Sequence, residues 1–222
     1  MAGPSRARGG GQSVLNTLNA LTEDDLGSAA QRDRRKRMLD ATIALATKGG
    51  YEAVQMRAVA ENADVALGTL YRYFPSKNHL LVTGLAREFE NAQEKLDRVD
   101  IPGETPSERV LFVLGRVTRK LQRYPQLTEA MTRAFMFADA SVSAEVDTVA
   151  RLMERMFGQA IHEEPSAEDL AIARVIGDVW LSNLVAWVTR RASVSDVAAR
   201  LELTVHLLLD NVSARPTAAS AR

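Results

Sequence analysis

The side chains with the most chemistry to offer lie in one short stretch, Leu67-Gly-Thr-Leu-Tyr-Arg-Tyr-Phe-Pro-Ser-Lys77, which mixes small, hydroxyl, phenol and basic groups. Read as a helix of about 100° per residue with Leu70 at zero, Leu67 and Phe74 fall within about 60° of it and point inward. Gly68, Thr69 and Arg72 point the opposite way, with Tyr71 and Tyr73 on the flanks. Gly68 adds no bulk, so another backbone or a base edge can approach closely. Thr69 offers a methyl to thymine or a hydroxyl to phosphate. Tyr71, Tyr73 and Lys77 suit phosphate clamps, which fix register without reading sequence. Pro75 stops the helix, and Ser76 is a good N-cap for the next.

The preceding element positions this face. From near Gln55, Met56, Val59, Ala60 and Ala63 recur at helical spacing and form one apolar stripe. Arg57 lies off the stripe in the first turn, beside free backbone N–H groups, an arrangement that suits a phosphate. Ala63-Asp64-Val65-Ala66 makes the turn. Two short helices joined this way are the physical specification of a helix-turn-helix that enters the major groove. The bland alternative is a pair of ordinary amphipathic helices with solvated outer faces. It accounts poorly for two tyrosines beside Arg72 and Lys77.

Charge distribution agrees. The 222 residues carry no net charge. Yet residues 1–77 hold 11 Lys and Arg against 8 Asp and Glu, and residues 78–222 hold 17 against 20. Arg32, Arg34, Arg35, Lys36 and Arg37 cluster directly ahead of the motif, the kind of local patch that matters for phosphate. With no cysteine, disulfides and thiolate metal sites are excluded. No run of 18 apolar residues and no signal-peptide h-region occur, so neither a membrane span nor export is expected, and a cytoplasmic setting is the default.

Around the motif the chain reads as all-α, with nine helices. Residues 1–28 are expected to be a disordered arm, in which Arg6 and Arg8 are available to touch DNA. A first helix spans 29–48 and ends at Gly49-Gly50, one glycine taking the left-handed position. After the motif, helices are expected over 76–99, from Pro106 (Thr105 as cap, Glu108 completing a capping box) to Tyr124, and over 126–138, 143–162, 166–191 and 195–209. The tail from 211 frays. This divides the chain into a DNA-binding unit over 29–77, with the helix-turn-helix at about 55–74, and a ligand-binding and dimerisation unit over 78–210.

The 166–191 segment is apolar on nearly every side, so it must be buried on more than one, and a second copy of the chain is the natural cover. The alternative is a central helix in a large monomeric core. Phe112, Met131, Phe135, Met136, Phe137, Met153, Met156 and Phe157 supply enough adaptable apolar surface to line a cavity for a small apolar effector, although such stripes are also ordinary core. Asp178 and Asn183 are polar groups within the long apolar helix.

Gly49-Gly50-Tyr51-Glu-Ala, Met56-Arg-Ala-Val-Ala and Gly68-Thr-Leu-Tyr-Arg-Tyr-Phe-Pro-Ser-Lys77 resemble the DNA-binding domain of the TetR family of bacterial transcriptional repressors. The likeness covers about Arg32 to Leu85. It implies DNA contacts at Arg57, Gly68, Thr69, Tyr71, Tyr73 and Lys77, with Arg72 on the same face. Position 67, often polar in that family, is here Leu67. Leu127-Thr-Glu-Ala-Met-Thr-Arg-Ala-Phe-Met-Phe-Ala-Asp139 and Asp178-Val-Trp-Leu-Ser-Asn-Leu-Val-Ala-Trp-Val-Thr-Arg-Arg191 are similar to the KstR-type branch, repressors of sterol and cholesterol catabolism. That resemblance implies a homodimer through the last two helices on a palindromic operator, and a steroid-derived effector, a steroid or its coenzyme A thioester. Expected ligand contacts are Met131, Phe135, Trp180, Asn183 and Trp187; Arg116, Arg119, Arg123 and Arg133 are available as cations for the coenzyme, and the sequence does not place them. A same-family regulator of drug efflux or fatty-acid metabolism is the alternative.

A small helical enzyme on an apolar substrate has little support. His79, His162 and His206 are scattered, and no metal, nucleophile or nucleotide signature occurs. No catalytic residue, cofactor or metal is expected.

Overall fold

The computed structural model describes residues 27–210. The expected basic arm with Arg6 and Arg8, and the tail from 211, lie outside the described residues, except that Ser28 caps the first helix. Among the described residues the chain is built from nine α-helices and one short 3₁₀ turn, with no strand.

Local signals set most boundaries. Helix α1, Ala29–Ala53, opens on a Ser28–Gln31 capping box. Its regular part ends at Lys48, because Gly49 and Gly50 leave helical geometry. Gly50 has φ 67° but ψ −160°, so its positive φ is as expected whereas its conformation is not the left-handed helical one. One further turn then carries Tyr51 and Glu52. Helices α2 (Met56–Asn62) and α3 (Leu67–Tyr73) follow, joined through Asp64 at φ 52°. Ser76 accepts the His79 amide to start α4, Lys77–Leu96.

Helix α5, Pro106–Arg123, has the expected Thr105–Glu108 box with Pro106 in its first turn. Helix α6, Pro125–Met136, stops short of the expected 138, and Asp139 caps the 3₁₀ turn Ala140–Val142 ahead of α7, Ser143–Ile161. Ser166 with Asp169 starts α8 (Ala167–Val188), and Ser193 with Asp196 starts α9 (Val194–Leu209). Arg190 at φ 59° turns the chain between them, which is why α8 ends before the expected 191.

Helix α1 packs along α6, and α4 runs between α6 and α7, so the motif-bearing end is seated directly on the second half of the chain. Leu39, Val59, Leu70, Phe74, Leu80 and Leu81 form the core near the motif, continuous with Leu114, Met131, Phe157 and Trp180 beyond it. Trp180 donates its indole N–H to Thr118 at 2.8 Å. Its ring meets the edges of Phe89 and Phe157 at 5.9 and 6.1 Å. Helix α8 averages a hydropathy of 1.4 over an 18-residue window, long and apolar enough to cross a membrane by composition, although no strictly apolar run of that length exists. Only 33% of that window is buried within one chain.

Candidate nucleic-acid interface and effector cleft

The motif is held from behind. The Arg37 guanidinium donates to the carbonyl of Ala63 in the turn, and Arg35 lies 5.5 Å over the Phe74 ring. Part of the basic cluster is therefore structural. At the outer face, a Cβ added to Gly68 would meet nothing within 4 Å. Tyr71 is 46% exposed, Arg57 and Arg72 are exposed, and Thr69 is half-buried. Neither Arg57 nor Arg72 forms an ion pair among the described residues. Arg57, Gly68, Tyr71 and Arg72 are thus open to solvent, with Thr69 partly so.

Two expected members of that face behave differently. Tyr73 is only 2% exposed, so its ring belongs to the core and not to an exposed flank. The helical wheel itself places it about 60° from Leu70, as near as Leu67. Lys77 is half-buried, its Nζ donating to the Tyr51 carbonyl at 3.2 Å and sitting 3.8 Å over that ring. Burial pushes its pKa below the ordinary lysine value; the Glu52 carboxylate opposes this and Arg133 adds to it. It is engaged inward, not projecting as a free clamp.

Tyr51 is the centre of a joint. Arg133 of α6 lies 4.2 Å over its ring and pairs with Glu52 at 3.0 Å. The Tyr51 hydroxyl donates to Asn78 at 2.9 Å. The Gln126 amide, with its nitrogen toward α1, donates to the Thr47 and Lys48 carbonyls. His79 bridges Ser76 and the carbonyl of Ser141. A carbonyl only accepts, so Nε2 carries the proton there. Sequence reasoning missed Arg37, Tyr51 and Gln126 in these roles. Apart from the Gly-Gly-Tyr punctuation, nothing local marks them.

Helix α6 has a second side. Thr128, Met131, Thr132 and Phe135 line a small apolar chamber of about 20 Å³ with Phe89, Val149, Met153, Trp180 and Leu184. A larger open cleft of about 530 Å³ lies between α1, α4, α5 and α6. The two share Leu85, Phe89, Leu121, Thr128 and Met131 as a common wall.

Of the expected ligand contacts, Met131, Phe135 and Trp180 line the small chamber. Asn183 and Trp187 line neither space. Asn183 is buried and donates back to the Val179 carbonyl at 2.9 Å, and Trp187 packs half-buried against the core. Met136 and Phe137 are 51% and 76% exposed and do not enclose the cavity. Asp178 lines a third cleft, of about 370 Å³, between α7 and α8. Arg116, Arg119, Arg123 and Arg133, the available cations, line neither the small chamber nor the larger cleft. The cations there are Lys95 and Lys120. Among the described residues no cluster of His, Cys, Asp or Glu can hold a metal ion.

Comparisons with known proteins agree with this geometry. The profile described as bacterial regulatory proteins, tetR family, matches residues 38–83, and a tetracyclin repressor-like C-terminal domain matches 103–208. The chain is 66% identical over 208 residues to the HTH-type transcriptional repressor KstR of Rhodococcus jostii (strain RHA1), covering 92% of this chain and 97% of that one. It is 61% identical to its namesake in Mycolicibacterium smegmatis, covering 88% and 96%. Among solved structures, a TetR transcriptional regulator from Rhodococcus sp. RHA1 superimposes with a TM-score of 0.74 at 35% identity, over 83% of this chain and 99% of that one. Thermus thermophilus FadR, a TetR-family repressor in complex with lauroyl-CoA, shares the fold with a TM-score of 0.61 at 20% identity, over 85% and 100%.

Proposed function

We propose, for a chain that belongs to the tetR family of bacterial regulatory proteins and within it to the KstR-type transcriptional repressors, that it silences sterol and cholesterol catabolism genes until a steroid-derived effector releases it. It is a DNA-binding regulator and not an enzyme. Residues 29–77 form the DNA-reading unit and 78–210 the effector and dimerisation unit. The protein works in the cytoplasm, where the operator is.

One observation carries this reading. Helix α6 grips the DNA-reading unit through Arg133 on Tyr51 and lines an apolar cavity with Met131 and Phe135. An effector that displaces α6 therefore acts on the joint that seats the motif. The dimer rests on α8 and α9. Only 33% of the apolar window of α8 is fully buried in one chain, with Val175 46% exposed, and Leu203 of α9 is 61% exposed. Two copies related by a two-fold axis would present their α3 helices about 34–36 Å apart, one turn of duplex, and so read a palindrome. Arg57, Gly68, Thr69, Tyr71 and Arg72 face the groove, while Tyr73 and Lys77 hold the shape behind them.

Release is a population shift. The effector must bind the geometry unsuited to the operator more tightly than the operator-bound one. The effector best matched to an open cleft backed by an apolar chamber is a steroid coenzyme A thioester. Titrating such a thioester into the protein–operator complex, followed by fluorescence anisotropy, is expected to free the DNA. Retention at saturating thioester overturns induction by steroids, and release by lauroyl-CoA alone would assign the protein to fatty-acid metabolism.

A further inference from the structure

We propose that the mouth of the larger cleft is a headgroup site, in which Lys95, Lys120 and Asn91 receive an anionic group joined to the apolar body of the effector. This rests on the reading that the cleft takes that effector, and adds which residues recognise its charged end.

Glu88, Asn91, Ala92 and Lys95 recur at helical spacing on α4, and all four line the cleft. Lys120 joins them from α5. The buried wall, Leu85, Phe89, Leu121 and Met131, is apolar and also lines the inner chamber on its other side. The space is therefore amphipathic, with an oily floor and a basic rim. Lys120 is held by Glu88 at 2.8 Å, with side chains 39% and 24% exposed. Lys95 is exposed and has no ion-pair partner among the described residues. Glu88 is the one carboxylate lining the cleft, so the rim keeps an excess positive charge when the pair is formed. An incoming carboxylate or phosphate competes with Glu88 for Lys120, gains Lys95 outright, and finds an amide donor in Asn91. The competition lowers the gain, and it makes Glu88 a brake on anion binding.

The experiment is calorimetry on the full-length protein with four probes: an uncharged 3-oxo steroid, a steroid side-chain carboxylate, its coenzyme A thioester, and lauroyl-CoA. In the K95Q/K120Q variant, affinity for the thioester is expected to fall about tenfold, as two partly exposed ion pairs allow, and for the simple carboxylate about threefold. Affinity for the uncharged steroid stays unchanged, and far-UV circular dichroism checks that the fold is intact. The E88Q variant binds both anionic steroids more tightly than the native protein. Equal losses for charged and uncharged probes, or no loss for the thioester, overturn the headgroup site. If no steroid binds but lauroyl-CoA binds with the same lysine dependence, the steroid reading fails and the headgroup site stands. If no probe binds the native protein, both fall.

Discussion

Tyr71 and Tyr73 differ by two positions and have opposite duties. Tyr71 faces out and Tyr73 is sealed in, so substitutions should separate affinity from stability. Tyr73→Ala opens a cavity in the motif's core and is expected to cost about 3–5 kcal/mol in urea unfolding. Tyr71→Ala should leave the unfolding midpoint nearly unchanged and weaken operator binding about tenfold, the scale of a lost hydrogen bond to a charged group. Equal destabilisation by the two would show that α3 is seated differently. Polarity alone does not decide which phenol reads DNA. In this seven-residue helix, the two positions about 60° from the apolar centre are Leu67, partly buried, and Tyr73, fully buried, and a tyrosine tolerates burial because most of its surface is hydrocarbon. The same holds for Lys77, whose stem and ammonium both find a place against Tyr51.

Helix starts were legible where a side chain bonds its own backbone three residues away. Thr105, Ser166 and Ser193 each cap a helix through such a bond, and these starts fell within a residue or two of expectation. The ends were less legible. Helix α1 resumes after Gly50 because Tyr51 is held by Lys77 and Arg133, partners that no periodicity in its own segment announces. The all-α class, the motif and the apolar cavity on α6 could be read from pattern. The rim of the cleft could not, because Lys95 and Lys120 come to one cleft from different helices, well separated in sequence.

The caps also give a pH dependence. The amide and hydroxyl of Ser193 hold the Asp196 carboxyl below its ordinary value. Asp169 feels burial pushing it up, but the Ser166 hydroxyl and amide and the His162 imidazole outweigh that and lower it. A depressed carboxylate binds fewer protons folded than unfolded. Its stabilisation is complete above the unfolded pKa, near 3.9 for aspartate, and disappears as pH falls through the lower folded value. The urea midpoint should therefore drop between about pH 5 and pH 2, and less steeply in the Asp196→Asn variant. An identical slope in that variant would show the cap contributes nothing to acid sensitivity.

At the scale of the whole molecule, the proposed seam on α8 and α9 predicts that assembly is a condition of operator binding. Leu203→Glu places a charge in the proposed seam. The variant should sediment as a monomer with native helix content, and its operator affinity should fall toward that of a single half-site. A variant that stays dimeric would move the seam elsewhere.

The Tyr51 sandwich has a further consequence, for how affinity depends on ionic strength. Arg133 and Glu52 are 44% and 74% exposed, so dissolved ions screen them. Raising salt weakens operator binding because the counterions released from the phosphates enter a more concentrated solution and gain less entropy, and it also slackens the brace that seats the motif. The slope of log affinity against log salt therefore reports a protein rearrangement as well as phosphate contacts, and Arg133→Met should flatten it although residue 133 lies in α6, outside the DNA-reading helices.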